Sequence, residues 1–162
     1  MIILGIDPGT AITGFGVIRS SGTQRQLVDC GVITTHKDTP HSQRLAELYA
    51  DLVELLRKHQ PDIAAVEKLF FATNVTTAMT VGEARGVALL ALEQAGVPIA
   101  EYTPLQVKQG ITGYGKATKR QVQEMVKLQL KLTTLPRPDD AADALGIALT
   151  HAAYTKEARP QS

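Results

Sequence analysis

Four carboxylates stand where this 162-residue chain could do chemistry: Asp7, Glu67, Asp140 and Asp143. Asp7 ends the apolar run Ile2-Ile3-Leu4-Gly5-Ile6, the kind of run that forms a strand buried on both faces. Pro8-Gly9 follows at once. An ionised carboxylate there costs roughly several kcal/mol unless something pairs with it, and no Lys or Arg lies near it in sequence. Either a distant cation or a metal is its partner, or it is the Asp that commonly opens a turn before Pro-Gly. Glu67 ends a second short apolar run, Ile63 to Val66. Asp140 and Asp143 sit at i and i+3 on one face of a helix that opens at Pro138-Asp139-Asp140 and runs to about Thr155. A capping Asp139 leaves that pair free.

The chain has no Cys/His cluster of the zinc type. Oxygen ligands alone suit Mg²⁺ or Mn²⁺, and a carboxylate cluster holding two such ions can clamp the attacking and leaving oxygens of a phosphodiester. A basic surface beside the cluster would hold a nucleic-acid backbone. The charge distribution provides one. Residues 104–137 carry seven Lys or Arg (Lys108, Lys116, Lys119, Arg120, Lys127, Lys131, Arg137) against Glu124 alone, whereas the rest of the chain has ten basic and fifteen acidic residues. That asymmetry points to a face that meets an anion, although a solvated basic face has the same composition.

The elements that must position these groups follow from periodicity and turn signals. After the first strand come an alternating, glycine-containing run from Ile12 to Ile18 and a β-branched run from Leu27 to Thr34, separated by Ser20-Ser21-Gly22. Together these form a three-strand meander. Thr39-Pro40 signals a helix start, with Thr as cap. Leu45, Leu48, Leu52, Leu55 and Leu56 then recur at helical spacing until His59-Gln60. A strand, helix, strand order makes the Ile63–Val66 run parallel to the first strand, so Asp7 and Glu67 end neighbouring strands on one edge, where ligands gather in open α/β sheets.

Phe70-Phe71 follows; adjacent Phe residues pack in a core by default, or a loop Phe beside a site acid stacks on a nucleobase. Residues 76–95 form a long helix rich in small side chains, in which Glu83 and Arg85 oppose a membrane reading. Val97 to Ala100 is a third parallel strand, and Thr103-Pro104 starts a short helix bearing Lys108. The segment Gly110 to Ala117 approaches a P-loop, but Ala117 stands where the Mg²⁺-ligating hydroxyl belongs. Its glycines and Lys116 suit a phosphate backbone instead. Thr118-x-x-Gln121 is a capping box. Lys119 and Arg120 lie in the first turn, where the helix dipole disfavours cations, and so imply an anionic partner. His151, two turns after Asp143, is taken as structural.

The chain is long enough for one domain with a sizeable core: 1–157, with 158–162 as a disordered tail. It has no stretch of about 18 uncharged apolar residues and no basic signal-peptide region. Its single Cys30 suits a reducing compartment, and together these imply a cytoplasmic protein.

The sequence resembles the RuvC family of Holliday junction resolvases over essentially its whole length. The motifs are GIDPGTAITGFGVI at 5–18, AVEKLFF at 65–71, GEARGVA at 82–88, QVKQGITGYGKATKRQV at 106–122 and PDDAADALGIALTHA at 138–152. The resemblance implies an α/β, RNase H-like fold: a five-stranded mixed sheet, three strands antiparallel and the rest parallel, flanked by helices. It implies a homodimer that resolves four-way DNA junctions by paired nicks in recombination and repair, leaving 5′-phosphate and 3′-hydroxyl ends, and that works with a RuvA–RuvB machine. By motif, Asp7, Glu67, Asp140 and Asp143 match the catalytic metal ligands, which implies two Mg²⁺ per site with Mn²⁺ as a substitute. Phe70 matches an aromatic that reaches into the junction, and Lys108 and Lys119 match residues that handle DNA. Rival readings are an actin-like or sugar-kinase ATPase, which needs two such domains, a shorter YqgF-like nuclease, and a non-catalytic junction-binding module, which should have lost an acid.

Overall fold

The computed structural model describes residues 1–68 and 75–157. Three antiparallel strands, β1 (Ile2–Asp7), β2 (Ile12–Ser21) and β3 (Gln24–Thr34), are followed by α1 (His41–His59), β4 (Ile63–Glu67), α2 (Val75–Gln94) and β5 (Ile99–Tyr102). Helices α3 (Pro104–Thr112), α4 (Lys119–Gln129) and α5 (Asp139–Glu157) complete it. The sheet order is β3-β2-β1-β4-β5, with β4 parallel to both β1 and β5. This is the RNase H-like arrangement.

Period-two alternation sorts the central strands onto two cores. Leu4, Ile6, Val17, Ala64 and Val66 face α1 and α2, where Leu48, Leu52, Ala84, Ala88 and Leu92 meet them. Ile3 and Ile18 face the other way, onto Ile111 of α3, Val126 of α4 and Leu145 and Leu149 of α5. Ile3, Leu4 and Ile6 are fully buried, as a strand covered on both sides requires; each contributes about 1.5–3 kcal/mol. By the same alternation Asp7 shares the face of Ile3, and Glu67 that of Ile63. Both acids therefore lie on the α5 side.

α5 sits unusually close to that side because glycines line its seat. A Cβ on Gly5 would stand 2.0 Å from the Ala144 carbonyl oxygen, one on Gly14 2.0 Å from that of Asp140, and one on Gly16 2.7 Å from the Leu145 backbone nitrogen. The small residues Ala141, Ala144 and Ala148, each fully buried, answer from the helix.

Local signals hold where they are strong. Thr103 and Thr118 each form a complete capping box, with Gln106 and Gln121. Others are displaced. α1 is capped at Pro40 without a side-chain bond, so Thr39 is not its cap. The strand expected at Val97–Ala100 runs two residues later, because the Val97 amide donates to the Leu92 carbonyl at 3.0 Å and closes the end of α2. α2 is long and apolar enough to cross a membrane by length and composition alone. Yet its Ala84, Ala88 and Leu92 are fully buried in the core, and its Arg85 and Glu83 pair with Glu101 and His41.

Candidate active site

Asp7 and Glu67 end adjacent parallel strands, one step beyond the Ile6–Val66 register pair. Asp140 and Asp143, in the first turns of α5, descend on them over Gly14, which is the register partner of Asp7. The turn after Asp7 is held shut: the Thr13 hydroxyl donates to the Gly9 carbonyl at 2.6 Å and accepts from the Gly9 amide at 3.2 Å.

The four acids form one electrostatic unit. Burial, then Asp143, Glu67 and Asp140 in that order, push the Asp7 carboxyl from 3.8 up to about 7, while Lys119 opposes weakly. Burial and then Asp143 raise Glu67, with Lys108 pulling it back. Burial also raises Asp143, against Lys119. Carboxylates buried together in this way disfavour their own charge. Among the described residues, no three His, Cys, Asp or Glu side chains are already gathered at metal-holding distance. The donor set is nonetheless all oxygen and short of positive charge, which fits a hard divalent cation.

Two expected cations lie beside the acids. Lys108 on α3 and Lys119 at the start of α4 line a cavity of about 270 Å³ with Glu67 and Asp143. The Lys119 ammonium stands 3.6 Å from both Asp139 and Asp143. The anionic partner that its unfavourable place in the first turn implied is thus present within the chain. Lys119, 61% exposed, contributes least of the groups acting on Asp7, but it is the strongest charge acting on Asp143, whose carboxyl is still raised by burial. Lys116 is exposed in the loop between α3 and α4. Arg120 lines a separate groove with Tyr114 and Met125 and is not part of the cavity at the acids. Phe70 and Phe71 lie outside the described residues, as does the 158–162 tail.

Two features went unread in the sequence. One is the glycine seat, whose signal was Gly14 and Gly16 two apart in one strand-like run and Gly5 inside the apolar run before it. The other is a cluster behind Glu67. Tyr102, its register partner on β5, hydrogen-bonds His151 Nδ1 of α5 at 2.7 Å and stacks on Tyr154 with centroids 5.5 Å apart. Burial lowers the His151 pKa, disfavouring the charged imidazolium. His151 is structural, as expected. The largest cavity described, about 650 Å³, lies at the opposite end of the sheet, beside Asp62 and Pro98, away from these acids.

Comparison with known proteins matches this arrangement. The family model for crossover junction endodeoxyribonuclease RuvC covers residues 3–151. A crossover junction endodeoxyribonuclease RuvC of Chloroflexus aurantiacus is 58% identical over 155 residues, 96% of this chain and 94% of the relative. That of Rubrobacter xylanophilus is 60% identical over 151 residues, 93% of this chain and 84% of the relative. Among solved structures, T. thermophilus RuvC in complex with Holliday junction substrate superposes with a TM-score of 0.92 at 40% identity, covering 97% of this chain and 96% of that one.

Proposed function

The chain belongs to the RuvC family of crossover junction endodeoxyribonucleases, and from that premise we propose how it resolves Holliday junctions. It is a metal-dependent, structure-selective DNA endonuclease of recombination. The observation that carries the site assignment is the meeting of Asp7 and Glu67, on adjacent strand ends, beneath the helix that bears Asp140 and Asp143.

In our reading these four acids are the catalytic residues and hold Mg²⁺, with Mn²⁺ as a substitute and two ions per site. Bound there, such ions supply Lewis-acid stabilisation of the phosphodiester and a water nucleophile at neutral pH. The protein's own part is to hold carboxylates that repel one another on a rigid strand-and-helix frame. Their electrostatic strain is relieved only by positive charge. Lys108 and Lys119, on the rim of the same cavity, receive the scissile phosphate and its neighbours. Lys116 and Arg120 extend that basic surface outward along the DNA backbone, and Phe70 enters the junction core. The products carry 5′-phosphate and 3′-hydroxyl ends.

Two symmetric nicks need two sites, so the working form is a homodimer. α2 supports it: Val75, Met79 and Leu90 are 71%, 62% and 51% exposed, and nothing lies within 4 Å of a Cβ built on Gly86, leaving room for a close neighbour. Sedimentation that finds only monomer at micromolar concentration would count against the dimer. A RuvA–RuvB branch-migration partner and a cytoplasmic setting complete the proposal; Cys30, the single cysteine, has no internal disulfide partner.

The test is cleavage of a synthetic immobile four-way junction against linear duplex, with and without Mg²⁺. Paired nicks in the junction alone, abolished by chelation, are expected. Equal cutting of linear duplex, or cutting that survives chelation, overturns the reading.

A further inference from the structure

On the α1 and α2 side of the sheet, opposite Lys108 and Lys119, the loop that follows Asp7 borders a groove of about 400 Å³. Its walls include Gly9, Thr10 and Ile12 of the loop, Thr80 of α2, and His41 and Arg44 of α1. Arg44 is half-buried and fixed in place. Its Nε donates to Thr35 Oγ1 at 2.9 Å, and that hydroxyl donates to the Thr10 carbonyl at 2.6 Å. Thr10 is tied in turn to α2, its hydroxyl donating to the Thr80 carbonyl at 3.0 Å. The guanidinium is therefore anchored to the same turn that carries Asp7.

This anchoring occupies one of five guanidinium N–H donors. Among the described residues no carboxylate pairs with Arg44. Glu83 of α2 is engaged instead by His41 Nε2 at 2.8 Å, and Asp38 lies by His36 at 3.7 Å. A planar cation held by its Nε, with its Nη edge unpaired among the described residues beside a groove, is built to take a tetrahedral oxyanion in bidentate fashion. The basic block at 104–137 accounts for anion contacts on only one side of the acids. A strand that passes Lys108 and Lys119 and crosses the carboxyl edge of the sheet towards α1 meets the loop at 8–12 and the groove that Arg44 lines.

We propose that Arg44 is a backbone-phosphate clamp for the DNA strand on the side of the acid cluster opposite α3 and α4. The inference rests on the junction-nuclease reading above. It extends the phosphate track across the active site and makes the Asp7 turn a shared support for the acid and for the clamp.

The test compares wild type, Arg44→Gln and Arg44→Lys for binding to a synthetic four-way junction with divalent ions chelated, across a salt series. A neutral methylphosphonate is then moved one position at a time along the strand to be cut. Arg44→Gln should weaken binding by at least about tenfold at a fixed salt and lower the salt slope by about 0.9. One methylphosphonate position should weaken wild type but leave Arg44→Gln unaffected. Arg44→Lys keeps the charge but loses the Thr35 bond, and it should retain most of the slope. If Arg44 only braces Thr35, Arg44→Lys will fail as badly as Arg44→Gln, and the clamp is refuted. Identical methylphosphonate profiles in wild type and Arg44→Gln refute it too. Those outcomes leave the nuclease reading intact, whereas wild type that binds junction no better than linear duplex overturns both.

Discussion

Asp7 on β1 stands opposite Gly14 on β2 across the antiparallel ladder, and the missing side chain at Gly14 lets the Asp140 carbonyl settle over that pair. A Cβ on Gly14 would lie 2.0 Å from the carbonyl oxygen. Something must move, and what must move is the helix that carries two of the four acids. Gly14→Ala should therefore destabilise the fold by roughly 3 kcal/mol or more, at or above the upper end for overpacking, and should weaken divalent-ion binding. Chemical denaturation and Mn²⁺ titration check both effects. An unchanged midpoint would mean that α5 does not need this seat.

Asp7→Asn removes a charge from the cluster without changing its shape. Junction binding should persist and cleavage in Mg²⁺ should vanish. Gel-shift and single-turnover cleavage on the same junction separate the two. Residual cutting near the wild-type rate would remove Asp7 from the metal-ligand set.

The pH dependence of the metal-free protein follows from the same residue. The folded Asp7 carboxyl titrates at about 7, raised from 3.8. Between those values the folded state holds a proton that the unfolded chain has released, so stability falls as pH rises through this window, and the loss is complete above about 7. Metal-free protein should thus melt lower at pH 8 than at pH 5. Mg²⁺ should raise the melting temperature far more at pH 8, where the carboxylate is charged. Asp7→Asn should flatten the profile; a profile as steep as wild type would assign the effect elsewhere.

Lys119 contacts Asp139 and Asp143 at 3.6 Å and so competes with any cation for Asp143. Lys119→Ala should bind Mn²⁺ more tightly in the absence of DNA, yet cleave more slowly and with a salt slope smaller by about 0.9. Calorimetry and salt-dependent cleavage read the two sides. Weaker Mn²⁺ binding in the variant would contradict the competition.

Tyr102→Phe keeps the stack on Tyr154 but leaves His151 Nδ1, in a histidine only 5% exposed, without its hydrogen-bond partner. The cost should be about 1–3 kcal/mol, that of a buried polar group left unpaired. Thermal denaturation measures it, and no change would mean that the bond does not hold β5 to α5.

Much of this molecule was legible in its residue order because the deciding interactions are short in range. The apolar runs ending at Asp7 and Glu67, the leucine spacing of α1 and the Thr103 and Thr118 capping boxes each depend on neighbours within a few positions. The parallel crossover that puts both acids on one edge joins residues sixty apart, Ile3 with Ile63, and was legible only through the handedness rule for strand–helix–strand connections. The cap assigned to Thr39 and the start of β5 slipped because the α1 N-terminus has no side-chain bond and Val97 is drawn back onto α2. These are tertiary demands on weak local signals.

What the order of residues alone determined is therefore the set of elements and the identity of the acids. Three-dimensional packing decided the rest: which face of the sheet the acids occupy, that glycines admit α5 close enough to add Asp140 and Asp143, that Lys119 leans on Asp143, and that Arg44 lies beside the Asp7 turn. The reason is physical. Hydrophobic period and capping act over one or two turns, whereas the field around Asp7 comes from groups on separate strands and helices, which meet only once the two cores have closed.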